Sequence, residues 1–148
     1  MKRKGKKKVW IVLLAILGVI VVGGGAAILA TAPGRKEIMD LTIANLDFKT
    51  LRDGAYVGEY KGTKDSMRNT KVQVTVDSGK VSDIKLLEGP SYKDGQPVKL
   101  TGGQTIDDLS QRVIDAQSLQ VDVISGATLN SKTHLKAVEN ALVQAEGK

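Results

Sequence analysis

Ser125-Gly126-Ala127-Thr128 is the stretch of this sequence best suited to chemistry. It follows a short apolar run, Val121 to Ile124, and precedes a helical pattern that begins near Ser131. A strand-to-helix junction presents unpaired backbone N–H groups at the positive end of a helix dipole, a favourable place for an anion. Gly126 and Ala127 are small enough to let a phosphate approach the backbone. The simpler alternative is a turn whose Ser and Thr hydroxyls only cap the helix, and local physics alone favours it.

Little else competes for a site. The sequence holds no GxSxG, Walker A, HExxH or GxGxxG pattern. It has no cysteine, which excludes disulfides, thiolate zinc sites and cysteine-ligated iron–sulfur clusters. One histidine and few aromatics argue against haem or a histidine-rich metal site. His134 falls within the last helical pattern and reads as a packed or solvated helical residue. Redox chemistry would therefore need a bound organic cofactor or a metal without sulfur ligands.

The elements that must position this segment can be read from periodicity. Asp53-Gly54 marks a turn, and Ala55 to Tyr60 reads as a strand with Tyr56, Gly58 and Tyr60 on one face. Val72, Val74 and Val76 alternate with polar residues in the clearest half-buried strand. Asp77-Ser78-Gly79-Lys80 is a hairpin turn, and the return strand runs from about Val81 to Leu87. Val81 is out of phase with Ile84 and Leu86, as a bulge or late strand start would make it. Glu88 to Gly103 reads as a long surface loop. Thr105 and Asp108 suit the start of a helix with Ile106, Leu109, Val113 and Ile114 buried. Val121 to Ile124 reads as a short strand, Ser125 to Thr128 as a turn. The last helix is expected over about Ser131 to Ala145, burying Leu135, Val138, Leu142 and Ala145. The expected fold class is α+β, a small, mainly antiparallel sheet with packed helices.

Ahead of this domain the composition changes. Of 148 residues, Val9 to Ala32 carry no charge, and at 1.5 Å per residue they reach roughly 36 Å, enough to span a bilayer core of about 30 Å. Trp10 sits at the interface end. Lys2, Arg3, Lys4, Lys6, Lys7 and Lys8 precede the run and orient it with the N-terminus cytoplasmic. Those six account for the net charge of +6, leaving 16 of the 22 basic residues against 16 acidic ones. The domain itself is neutral, so nucleic acid is not an expected partner. A cleaved signal peptide ending at Ala30-Thr31-Ala32 competes with an uncleaved anchor, but the long apolar run and Pro33 favour the anchor. Both export the domain. The expected organisation is a basic tail over 1–8, a transmembrane anchor over 9–32, a linker or short helix over 33–52 (helical spacing over Glu37 to Leu46), and a domain over 53–148.

The run from Gln117 through Asp122-Val123-Ile124-Ser125-Gly126-Ala127-Thr128, followed by Ser131 and Ala137 to Leu142, resembles the FMN-binding domain family. The resemblance extends upstream through Asp53 to Gly58 and the valine hairpin. This family includes covalent-flavin subunits of sodium-pumping NADH:quinone reductase and Rnf complexes and small exported Gram-positive flavoproteins. Its acceptor pattern is Asp, two residues, Ser or Thr, Gly, Ala, Thr. The resemblance implies that Thr128 carries FMN through a phosphoester, installed from FAD by a Mg²⁺-dependent flavin transferase. Asp122, Ser125, Gly126 and Ala127 would position it and be read by the transferase. Asn130 departs from the family's frequent second Thr. Tyr56, Tyr60 and Tyr92 are the aromatics available to a flavin, although ordinary packing suits each of them better. The function so implied is a membrane-anchored extracytoplasmic electron carrier, rather than a stand-alone enzyme, served by a membrane dehydrogenase or quinol-linked donor. The alternatives are a subunit of a larger ion-pumping redox complex, a non-redox module binding FMN or another phosphate ligand reversibly, and a reductase acting directly on a small substrate.

Overall fold

Alternating valines build the centre of the domain. In the computed structural model, which describes residues 12, 14, 15 and 31–146, Val72, Val74 and Val76 are buried on the middle strand of a three-stranded antiparallel sheet. Its strands are β1 (Gly54–Tyr60), β2 (Thr70–Asp77) and β3 (Lys80–Glu88), in that spatial order. Ser78 and Gly79 both take positive φ, 54° and 73°, as a two-residue hairpin turn of matching twist requires. The phase break at Val81 is a bulge. Val76 pairs with Val81 but Thr75 with Asp83, so Ser82 is extra, and its hydroxyl donates to the Thr75 carbonyl at 3.2 Å. A second irregularity sets Leu87 aside between the Val72–Leu86 and Lys71–Glu88 pairs.

Two helices cover the sheet. α1 (Ile106–Ala116) lies against β3 and α2 (Thr128–Ala145) against β1 and β2. α1 starts at a capping box in which the Asp108 carboxylate accepts the Thr105 N–H at 2.6 Å. That bond holds the Asp108 carboxyl below the usual carboxylate range. Ile106, Leu109 and Val113 are buried, with Ile114 partly so, as their spacing implies. On α2, Leu135, Val138, Leu142 and Ala145 are buried, and truncating such a leucine costs roughly 2–5 kcal/mol. Gly58 lets β1 and α2 touch backbone to backbone: a Cβ there would lie 2.1 Å from the Ala137 carbonyl oxygen and 2.4 Å from the Ala141 nitrogen. The Asn140 and Gln144 amides donate to the carbonyls of Glu59 and Val57, which covers part of the β1 edge.

Several expectations need correction. Val121 to Ile124 joins no sheet. Its polar backbone is claimed elsewhere: Arg112 donates to the Asp122 carbonyl at 2.7 Å, and the Ile124 N–H donates to Ser131 Oγ at 3.2 Å. The Glu88 to Gly103 stretch is not plain loop. It contains a hairpin of β4 (Tyr92–Lys93) and β5 (Gln96–Pro97) turning at Asp94-Gly95, then a 3-10 turn at Thr101–Gly103. α2 begins at Thr128, three residues earlier than its apolar pattern suggests.

The linker is ordered rather than wholly helical. Residues 31–39 are helical, and 41–47 run irregularly along α2. Lys132 Nζ donates to the Leu41 carbonyl at 3.1 Å and Lys136 Nζ to that of Thr42 at 3.2 Å, while Glu139 accepts the Ala44 N–H at 3.0 Å. The tail over 1–8 and almost all of the apolar stretch over 9–32 lie outside the described residues. Among the described residues, no helix is long and apolar enough to cross a membrane.

His134 is packed inside, one of the two alternatives its place in the helix left open. It is 1% exposed, with Nε2 2.9 Å from Ser110 Oγ. Ser110 Oγ also lies 3.3 Å from the Ile106 carbonyl, and His134 Nδ1 is left without a partner among the described residues. Burial pushes its pKa down to about 4, below the free value of 6.5. The unfolded chain therefore binds a proton between these values that the folded chain does not. Stability from this residue is complete above about pH 6.5 and falls, by on the order of 3 kcal/mol, as pH drops to 4. Urea unfolding across that window should show the slope, and His134→Gln should flatten it; parallel slopes in both proteins would contradict the assignment.

Candidate functional site

The turn into α2 is built from the inside outward. Ile124 is fully buried and anchors the incoming chain. The Ala127 N–H then returns to the Ile124 carbonyl at 3.0 Å, and the Ser131 N–H reaches the Ala127 carbonyl at 2.9 Å. Ser131, itself fully buried, spends its side chain on the Ile124 N–H, so the first turn of α2 and the strand-like entry are tied together. Between them Gly126 takes φ of +77°, with Thr101 packed so closely that a Cβ on Gly126 would sit 2.8 Å from it. Only glycine meets both conditions without strain.

Ser125 and Thr128 do not cap the helix. The N-cap is Ala127, which has no side chain to serve, and the N–H groups of Thr128, Leu129 and Asn130 take no partner among the described residues. The Thr128 hydroxyl likewise makes no hydrogen bond among them. Three adjacent donors and a free hydroxyl thus stand at the positive end of an 18-residue helix.

They open onto a cleft of about 560 Å³ lined by Gly126, Ala127, Thr128, Leu129 and Asn130 on one side and by Arg35, Arg68, Lys99, Leu100 and Thr101 on the other. Among the described residues, the lining holds three cations and no carboxylate, and none of the three cations is in an ion pair. Arg68 Nη1 is shielded from solvent and has no hydrogen-bond partner among the described residues. Such an arrangement is suited to an anion, because charge-assisted bonds from guanidinium and backbone N–H are otherwise unmade. The donor set and the volume fit the phosphate end of a flavin mononucleotide.

Of the five residues expected at the site, three meet in the cleft: Gly126, Ala127 and Thr128. Asp122 and Ser125 are exposed and do not line it. No tyrosine lines it either. Tyr56 donates to the Arg52 carbonyl at 3.0 Å, Tyr60 is buried in the core, and Tyr92 sits on β4. Arg35, Arg68 and Lys99 carry no motif, and sequence reasoning missed them. Among the described residues, no group of acidic or histidine side chains could hold a metal ion.

Residues 67–143 match the model of the FMN-binding domain family. An NADH:acrylate oxidoreductase of Vibrio harveyi is 34% identical over 76 residues, which is 51% of this chain. The chain covers only 7% of that relative's length. A crystal structure of a Clostridium perfringens protein aligns with a TM-score of 0.46 at 24% identity, covering 64% of this chain and 88% of that one.

Gly126→Ala should destabilise the domain by about 1–3 kcal/mol, through the positive φ and the Thr101 contact together. Adding Thr101→Gly should return only the contact part. Urea unfolding of the three proteins checks this, and a Gly126→Ala variant as stable as wild type would contradict the geometry.

Proposed function

The chain belongs to the FMN-binding domain family, and on that premise we propose that it is an extracytoplasmic electron carrier holding FMN through a phosphoester on Thr128. One observation carries the linkage. The Thr128 hydroxyl is unengaged at an uncapped helix N-terminus, facing a cleft whose charged side chains are all basic. A phosphodiester anion there would gain the three free N–H groups and the cations.

The chain does not supply the means of its own loading. Among the described residues, the cleft holds no carboxylate or imidazole to take the Thr128 proton, and an alcohol is a weak nucleophile unaided. A separate Mg²⁺-dependent flavin transferase fits this need. Thr128 Oγ1 would bond to the FMN phosphorus of FAD, the pyrophosphate bond to the AMP half would break, and the hydroxyl proton would leave through the transferase. No electron changes hands in that step. Asp122 and Ser125, exposed beside the cleft, are available for the transferase to read. Once bound, the flavin supplies reversible electron uptake, and the protein's part is to hold its phosphate and orient it.

The membrane placement rests on the charge-flanked apolar stretch over 9–32. With that placement, a membrane dehydrogenase or quinol-linked donor is the partner proposed. Membership of a larger ion-pumping complex is the closest variant of this reading.

Co-expression with a flavin transferase should add the mass of one FMN to the denatured chain and give in-gel flavin fluorescence. Thr128→Ala should lose both. Wild-type protein that gains no mass sinks the covalent linkage, and flavin released on denaturation points to a reversible module instead. For topology, protease added to intact cells should digest the domain; protection of a chain that protease cleaves after lysis would sink the exported orientation.

A further inference from the structure

We propose that Glu37 is a positioning residue of this site, holding Arg68 toward Thr128 from a segment that lies upstream of the family-matched region. The proposal rests on the reading of Thr128 as the flavin carrier.

Glu37 spends both carboxylate oxygens on backbone. Oε1 accepts the Thr63 N–H and Oε2 the Lys64 N–H, each at 2.9 Å and across more than 25 residues of sequence. The Thr63 N–H in particular holds the Glu37 carboxyl below the usual range. The clamped loop leads directly to Arg68. It is braced within itself: Asp65 Oδ1 accepts the Met67 N–H at 2.9 Å, Asn69 Oδ1 accepts the Gly62 N–H at 3.0 Å, and the Thr70 hydroxyl donates to the Arg68 carbonyl at 3.1 Å. A braced loop moves as a piece, so the clamp at Thr63 and Lys64 sets where Arg68 stands.

The same helical segment supplies two further parts. Asp65 packs onto Gly34 with no room for a Cβ between them, a second seat for the loop. Arg35, two residues before Glu37, lines the cleft itself. Among the described residues, Glu37 forms no ion pair with Arg35 or Arg68. Its charge is used on N–H groups, and the guanidinium groups stay available to an anion. Residues 34–37 are thus a working part of the cleft and not only a linker.

The test uses the full-length chain made without a flavin transferase, titrated with FMN, with inorganic phosphate as competitor. Glu37→Ala should weaken FMN binding about tenfold, the worth of one charge-assisted contact. Glu37→Gln, which keeps one acceptor oxygen and the shape, should weaken it less, and it carries the test if the alanine variant folds poorly. Arg68→Gln should weaken binding at least as much as Glu37→Ala. The double variant should match Arg68→Gln alone, because Glu37 acts through Arg68. Trypsin should cut at Arg68 faster in Glu37→Ala. Unchanged binding in Glu37→Ala, or losses that add in full in the double variant, would overturn the proposal. Transferase loading of wild type separates the two ideas: a wild type that gains one FMN while Glu37→Ala binds normally removes only Glu37. A wild type that neither binds nor gains FMN removes the reading of Thr128 and this proposal with it.

Discussion

At Gly58 the backbone of β1 meets the backbone of α2 with no side chain between them. Close packing of this kind leaves no slack for a helix to slide or tilt. The seat of α2 in turn locates everything at its ends and along its outer face. Its N-terminus carries Thr128, its flank receives the linker through Lys132, Lys136 and Glu139, and its last carbonyls are met by Arg52. The Arg52 N–H reaches the Ala145 carbonyl at 2.8 Å and its guanidinium the Gln144 carbonyl at 3.2 Å, placing a cation where the helix dipole favours one. The two ends of one helix are therefore treated in opposite ways: the Leu142, Gln144 and Ala145 carbonyls find partners within the chain, and among the described residues the N-terminus is left open.

That openness is a local cost. Among the described residues, three N–H groups go without the acceptor that a capping Ser, Asp or Asn would offer one of them, and a desolvated guanidinium nitrogen has no partner. Ser131, the fourth residue of the helix, turns its hydroxyl inward to the Ile124 N–H. Departures from local consistency of this sort are expected where a chain binds something. The cations around the opening come from three separate places: the helical turn at Arg35, the loop before β2 at Arg68 and the loop before the 3-10 turn at Lys99. No carboxylate among the described residues lines the cleft to cancel them.

The pattern of apolar residues made much of the framework readable. Val72, Val74 and Val76 alternate and are buried; the out-of-phase Val81 marked a bulge; Thr105 with Asp108 marked the start of α1. Periodicity failed where side chains replaced the usual backbone partners. Val121 to Ile124 looks like a strand, but Arg112 and Ser131 take the groups a ladder would use. Thr128 reads as the end of a turn because the apolar spacing of α2 starts later, although its backbone is already helical.

Sequence by itself located the turn at Ser125 to Thr128, the valine hairpin and the two helices, because each depends on neighbours a few residues apart. It pointed to Asp122 and Ser125 as readily as to Gly126, Ala127 and Thr128, since adjacency along the chain does not say which residues face a common space. Only the tertiary structure divided them, turning three into the cleft and two to solvent. It also decided that Arg35, Arg68 and Lys99 meet across that cleft. Contacts between residues more than thirty positions apart depend on how β1, β2 and α2 pack, and no local pattern encodes that.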